Sequence, residues 1–444
     1  MSEGTSELGG GVAVGRLNEV TPPFSSQAAL DEAARCLYCF DAPCAQACPA
    51  AVDVSAFIRK ITTGNLRGAA RVILQANPLG ASCARVCPVD ELCEGACVVG
   101  KTNRPVAIGR LQRSVTDWAA ANSKSVLRAG RPTGKRVAVI GGGPAGLTCA
   151  AELAQLGHAV TVFEAREKAG GLNTYGIVPL RLPLENSLAE VEMVRGLGVA
   201  IRTGVAVGRD VQPEDLLRDY DALFVAIGLG GGAHLGVPGE ELSGVYEALD
   251  LIAAAKLGDL GHIRIGERVA VVGGGNTAID AATVARRLGA REVTVVYRRG
   301  QEEMPAYKYE VDFARGEGVN FQWLAAPVRI VGKGQVAGLE CVRTQLAAPD
   351  ESGRRRPQPV PSSKYVMAVD TVIKALGQAP LASTIARLGL QVKGGRLEVD
   401  AETGRTSQPR IFAGGDCVSG GGEVVFAVQQ AKRAARGIHA AIVA

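Results

Sequence analysis

Eight of the eleven cysteines in this 444-residue chain stand in two short runs, CLYCFDAPCAQACP at 36–49 and CARVCPVDELCEGAC at 83–97. The first run is spaced C-x2-C-x4-C-x3-C-P; the second is C-x3-C-x5-C-x3-C, with Pro88 opening the five-residue gap. Thiolate is a soft ligand, and so many thiols at ligand spacing point to metal. Structural zinc also takes four thiolates, often as paired C-x2-C knuckles. Here only one C-x2-C occurs, and two C-x3-C-P runs match iron–sulfur ferredoxin spacing. Two [4Fe–4S] clusters are the favoured expectation, with zinc or unliganded thiols as alternatives. Cys149, Cys341 and Cys417 lie in apolar surroundings and read as small buried hydrophobes. None forms the C-x2-C of a flavin disulfide reductase, which argues against thiol exchange.

Two further motifs have the form of nucleotide sites. KRVAVIGGGPAGLTCAAEL reads as strand, glycine turn and helix, with Gly141, Gly143 and Gly146 in G-x-G-x-x-G spacing. The first glycine permits the tight turn and the second lets backbone approach a pyrophosphate. The third lets helix close on strand, and the helix N-terminus faces the anion. Glu164 ends the following strand, where a carboxylate accepts from ribose hydroxyls. ERVAVVGGGNTAIDAATVARRL repeats the pattern with Gly273, Gly275 and Ala278. Aligning TVFEAR with TVVYRR puts Tyr297 in the place of Glu164, followed by Arg298 and Arg299. Losing the carboxylate removes repulsion against a 2′-phosphate, which paired guanidiniums can clamp. The first turn is therefore expected to bind FAD and the second NADPH in preference to NADH. The plainer alternative leaves both arginines on a solvated edge.

The elements that must position these residues follow from the pattern. Residues 1–24 read as a mobile arm and 25–122 as a helical domain; SAFIRKITTGNLRGAARVILQ puts Phe57, Ile58 and Ile61 on one helical face. A polar, Gly/Pro-containing linker covers 123–134. The fold class is then two Rossmann-like α/β domains, one inserted in the other. The FAD domain takes 135–260, the NAD(P)H domain 261–372, and the FAD domain resumes over 373–444. A net charge of +5 with dispersed Lys and Arg, and 4% aromatics, disfavours nucleic-acid binding. No apolar run reaches the roughly 18 residues of a membrane span, and no signal-peptide pattern is evident. A cytoplasmic location is expected. The four histidines are dispersed and read as structural.

CLYCFDAPCAQACP, NPLGASCARVCP, GRLQR, GGGPAGL, GGLNTYGIVPLRLP and GGDCV together carry a resemblance that spans nearly the whole chain. The sequence resembles the electron-input module shared by the glutamate synthase small subunit and dihydropyrimidine dehydrogenase. It is most similar to the small subunit of the bacterial dihydropyrimidine enzyme. The resemblance implies an interleaved ligand set. Cys36, Cys39, Cys44 and Cys97 would hold one cluster and Cys48, Cys87, Cys93 and Gln112 the other, leaving Cys83 a bystander. In VAIGRLQRSVTDW, Gln112 falls on the helix face of Ile108, Leu111, Val115 and Trp118, and a buried Gln needs partners. FAD would be lined by Gly141, Gly142, Gly143, Pro144, Ala145, Gly146, Glu164, Gly171, Leu172, Arg181 and Val207. Gly415, Asp416, Glu423 and Val424 would join from the returning segment. NADPH would be lined by Gly273, Gly274, Gly275, Asn276, Thr277, Arg298, Arg299 and the turn Ala375, Leu376, Gly377. The chain departs from the mammalian enzyme at Pro305, where a further Arg would grip the phosphate, and from some bacterial small subunits by carrying Arg298 and Arg299 at all.

No residue is expected to act as a catalytic acid or base. The sequence shows no pyrimidine site, no FMN barrel and no glutaminase nucleophile, so a larger catalytic partner subunit is expected. It would reduce uracil or thymine or, as the alternative, form glutamate from 2-oxoglutarate and glutamine. A reading of another class, a non-catalytic assembly protein, is disfavoured by the intact glycine turns and the full cysteine set.

Overall fold

The computed structural model describes residues 17–122, 126–351 and 353–443. Most of the expected arm and the start of the expected linker lie outside the described residues. The chain falls into two compact units. The first comprises Val20–Thr174, Arg181–Gly230 and Pro380–Ala444, so the cysteine-bearing helices and the first glycine turn share one unit.

That unit begins with short helices, each started by a side chain that satisfies a free backbone N–H. Ser25 caps Ser26–Ala33, Asp53 caps Val54–Thr62 and Asn65 caps Leu66–Ala76. The stretch read as one helical segment is two helices, parted where Gly64 takes a φ of +70°. Phe57, Ile58 and Ile61 are buried as one face. Gly80–Val86 and Ile108–Ala121 follow. A five-stranded parallel sheet then runs in the order Ile411–Ala413, Ala222–Val225, Arg136–Ile140, Ala159–Phe163, Ala200–Arg202. Its last strand in sequence therefore arrives from the far end of the chain and pairs with Ala222–Val225. The long helix Val424–Val443 packs against Pro144–Gln155.

The second unit comprises Tyr175–Leu180 and Gly231–Ala379, with Leu17–Glu19 among the described N-terminal residues. Its five-stranded parallel sheet is ordered Val245–Glu247, Thr371–Lys374, Arg268–Val272, Glu292–Tyr297, Val319–Trp323. The unit's main stretch is Gly231–Ala379, which contains the 261–372 expected for the NAD(P)H domain and extends it at both ends. The reason is the edge strand Val245–Glu247, which pairs with Thr371–Lys374. Leu17, in the expected arm, is buried in this unit's core with Val178 and Leu251, while most of residues 18–24 are exposed. A three-stranded antiparallel sheet, Ala325–Lys333, Gln335–Pro349 and Arg355–Met367, completes the unit. The sequence reading did not anticipate it.

Candidate functional site

In the first unit the first and third glycines of the turn have no room for side chains. A Cβ on Gly146 would lie 1.9 Å from Gly141 O, so only glycine lets helix Pro144–Gln155 close on its strand. Gly141 itself sits at φ +105°. Neighbouring segments converge on this turn: a Cβ on Gly171 would fall 2.6 Å from Gly143 Cα, and one on Gly415 2.9 Å from Ala145 Cβ. The structure thus brings Gly141–Gly146, Gly171 and Gly415 together around a helix N-terminus that has no side-chain cap. Open N–H groups there suit a pyrophosphate. Glu164 is buried, and its carboxylate accepts from Gly142 N and Arg166 N, each at 2.8 Å. A carboxylate has about four acceptor sites, so capacity remains for ribose hydroxyls. Val205 N donates to Glu164 O, which places Val207 close by in sequence. Gly415 N is held by Gln430 Oε1 at 2.8 Å. Burial pushes the Asp416 carboxyl up to about 6, and the charge of Glu423 adds to that. Leu172 opens a short helix, Arg181 is half-buried, and Val424 begins the long C-terminal helix.

The second unit repeats the turn with a different tip. Ile140 pairs with Phe163 and Val272 with Val296, so Glu164 and Tyr297 are equivalent next residues. A Cβ on Gly274 would strike the Tyr297 ring at 2.4 Å, and one on Gly273 would lie 2.3 Å from Ala375 O. The Ala375–Gly377 turn is therefore in contact with the glycine turn, while Gly275 faces open space. The Tyr297 hydroxyl donates to Glu303 O at 2.9 Å. Asn276 Oδ1 accepts from Tyr307 N at 3.0 Å at the start of helix Asn276–Arg287, where Thr277 follows it. Arg298 is exposed. Arg299 Nε is buried with no hydrogen-bond partner, an orphaned cationic donor of the kind an anion satisfies.

All eleven cysteines are free. Cys36, Cys39, Cys44 and Cys97 line one hollow, with Val54, Ile58, Val106 and Ile108 among its apolar walls. Burial pushes the Cys44 thiol up to about 11, and the nearby Cys97 and Cys36 add to the effect. Cys97, from the second sequence run, therefore keeps company with three cysteines of the first. The remaining four form another group. The Cys87 thiol is pushed up by its hydrogen bond with Cys83, by burial, and by Cys93 and Cys48. Cys83 stands inside this second group, where the sequence reading had left it apart. Gln112 is buried on its helix and donates to Gly80 O at 2.7 Å, at the start of the helix that bears Cys83. Among the described residues no three His, Cys, Asp or Glu side chains close on the position of a single ion. The two wider groups suit a cubane, in which each sulfur meets its own iron. Crowded, buried thiols that resist ionisation alone are a donor set that cationic iron would deprotonate.

One buried carboxyl ties these elements together. Glu190, on helix Leu184–Arg195, accepts from Ala81 N and Ser82 N at 2.9 Å each, and from the Ser82 hydroxyl. Burial pushes it up from 4.5 to about 7. A carboxyl raised in the fold is held protonated there, so its contribution to stability is fully present below the unfolded value. That contribution is lost as pH rises through the folded one, by roughly 3 kcal/mol at about 1.4 kcal/mol per unit. Thermal unfolding midpoints should fall between pH 5 and pH 8, and Glu190→Gln should flatten that slope. Identical slopes in the two proteins would remove Glu190 as the cause.

Residues 13–124 match a family model described as dihydropyrimidine dehydrogenase domain II, 4Fe-4S cluster. Residues 105–217 and 135–431 match one described as pyridine nucleotide-disulphide oxidoreductase. The chain is similar to the glutamate synthase [NADPH] small chain of Escherichia coli, 38% identical over 437 residues, covering 95% of this chain and 93% of that one. It is 37% identical over 423 residues to the NAD-dependent dihydropyrimidine dehydrogenase subunit PreT of the same organism, covering 95% and 96%. Among solved structures it shares its fold with FprA of Mycobacterium tuberculosis in complex with NADPH. The TM-score there is 0.59 at 21% identity, covering 70% of this chain and 84% of that one. No helix among the described residues is long and apolar enough to cross a membrane.

Proposed function

Because this chain belongs to the flavin- and iron–sulfur-dependent oxidoreductase family of glutamate synthase small chains and dihydropyrimidine dehydrogenase PreT subunits, we propose that it is an electron-input subunit. Its catalytic partner, in the cytoplasm, would reduce uracil and thymine to their 5,6-dihydro forms. The chain is an NAD(P)H-dependent oxidoreductase with FAD and [4Fe–4S] cofactors. FAD, when bound, would supply the chemistry that converts a two-electron hydride donor into one-electron transfers of the kind iron–sulfur clusters relay.

The protein's own part is to hold and orient. Gly141–Gly146 and the open N-terminus of Pro144–Gln155 would carry the FAD pyrophosphate, with Glu164 taking the ribose. Gly171, Leu172, Arg181, Val207, Asp416, Glu423 and Val424 are assigned to the remainder of the flavin site. Gly273–Gly275, Asn276, Thr277 and the Ala375–Gly377 turn would hold the nicotinamide nucleotide, with Arg298 and Arg299 on its 2′-phosphate. Cys36, Cys39, Cys44 and Cys97 form one cluster site; Cys48, Cys87 and Cys93 form the other, with Gln112 as fourth ligand. The Cys83–Cys87 contact supports a second reading of that fourth place, in which Cys83 fills it.

The observation that carries the pyrimidine reading is the match of the cysteine-bearing residues to the dihydropyrimidine dehydrogenase family model. The similarity to glutamate synthase small chains supports the other destination. Co-expression with an FMN-containing dihydropyrimidine dehydrogenase large subunit, or with a glutamate synthase large chain, separates the two. The expected outcome is NADPH-dependent dihydrouracil formation with the first partner. Glutamate formation with the second partner, and no dihydrouracil with the first, would overturn it. Alone, the chain should reduce an artificial dye but not uracil.

A further inference from the structure

The ammonium of Lys432, on helix Val424–Val443, donates to Ala50 O at 2.8 Å and to Ala76 O at 2.6 Å. Both carbonyls belong to the cysteine-bearing helical region. Ala76 ends helix Leu66–Ala76, where terminal carbonyls lack partners and favour a cation. Ala50 lies in the turn Cys48-Pro49-Ala50-Ala51, and that turn is strained. Ala51 adopts φ +58°, a left-handed conformation that non-glycine residues rarely take. Strain of this kind persists only where surrounding structure enforces it, and it concentrates at functional sites.

The turn closes on the cysteine itself, with Ala51 N donating to Cys48 O at 2.9 Å. Lys432 grips a carbonyl of the same turn, so it braces the conformation that presents Cys48. Both of its hydrogen bonds go to neutral carbonyls, and neither cancels its charge. Within its electrostatic reach lie Glu152, a carboxyl of opposite charge whose buried Oε1 takes no hydrogen bond, Arg436, which adds a second positive charge, and Cys48. A positive charge is thus stationed in a partly desolvated place beside one cysteine group.

We infer that Lys432 is a tuning residue: its ammonium raises the reduction potential of the cluster held by Cys48, Cys87 and Cys93, while its hydrogen bonds brace the turn that presents Cys48. One-electron reduction adds a negative charge to a site already ringed by thiolates. A fixed cation nearby in low dielectric favours the reduced form, and cluster potentials follow local charge and hydrogen bonding to sulfur. A less negative potential there favours electron uptake from the reduced flavin. The inference rests on the reading of these cysteines as a cluster site.

The test is an EPR-monitored redox titration of the full, iron- and FAD-loaded chain under anaerobic conditions, with iron content measured in parallel. Lys432→Gln and Lys432→Met should move one midpoint to more negative potential, with iron unchanged and Lys432→Arg close to the parent. The signal that moves should be the one lost in Cys93→Ala. Unmoved midpoints with full iron would overturn the inference, as would a shift confined to the other cluster. Loss of iron in both neutral variants would make Lys432 a structural brace alone, which also overturns the tuning role. A parent protein without cluster signals would instead bring down the cluster-site reading, and this inference with it.

Discussion

Cys97→Ala and Cys36→Ala should abolish the same cluster signal, although the two residues come from different sequence runs. Each variant should lose about half of the cluster iron and deliver no electrons to a catalytic partner, while dye reduction through the flavin continues. The basis is the hollow that Cys97 shares with Cys36, Cys39 and Cys44, together with the charge coupling of Cys44 to Cys97 and Cys36. A cubane that lacks one of its four thiolates lacks the ligand that holds one of its irons, and the incompletely held cluster is expected to be lost as a whole. Cys93→Ala should remove the other signal. Parallel Gln112→Ala and Cys83→Ala variants then identify the fourth ligand of that second cluster, since only the true ligand should alter its spectrum. If Cys97→Ala instead removes the same signal as Cys93→Ala, the interleaved arrangement is wrong and each sequence run holds its own cluster.

The sequence made the sites far more legible than their frame. A G-x-G-x-x-G turn is legible because each glycine answers a contact a few residues away, such as Gly146 against Gly141 O. The substitution of Tyr297 for Glu164 was legible because both follow strands in the same register. The unit boundary was not, since it depends on the three-residue strand Val245–Glu247 pairing with Thr371–Lys374, a partner distant in sequence. The antiparallel sheet was missed for a related reason. Arg355–Met367 is largely exposed along its length, so no buried alternation marks it as a strand. Lys432 and Glu190 were invisible for a different reason. A lysine in AKRAARGIH reads as one of a solvated set, and a glutamate in AEVEMV as surface charge, until distant carbonyls and amides are found against them. Gln112 gave a signal because it is a polar residue in phase with the buried Ile108, Leu111 and Val115.

Replacing Arg298 and Arg299 together by alanine should raise the KM for NADPH by about tenfold to a hundredfold or more and leave the KM for NADH within about twofold. Hydrogen bonds to a charged group contribute about 1.5–3 kcal/mol each, which sets the lower part of that range for a single lost contact. The structure supplies three reasons to place the phosphate here. Tyr297 occupies the carboxylate position and its ring packs under Gly274, so the strand end itself carries no carboxylate to repel a 2′-phosphate. The Tyr297 hydroxyl is already engaged by Glu303 O, leaving the two guanidiniums that follow it in sequence as the nearby donors. Arg299 Nε is buried without a hydrogen bond, a cost that a bound phosphate would offset. Arg298 is exposed and free to close on the nucleotide from the solvent side. Equal increases in KM for both nucleotides would refute the 2′-phosphate clamp, and an unchanged KM for both would place the arginines on a solvated edge; either result would leave the second glycine turn without a preference for the phosphorylated form.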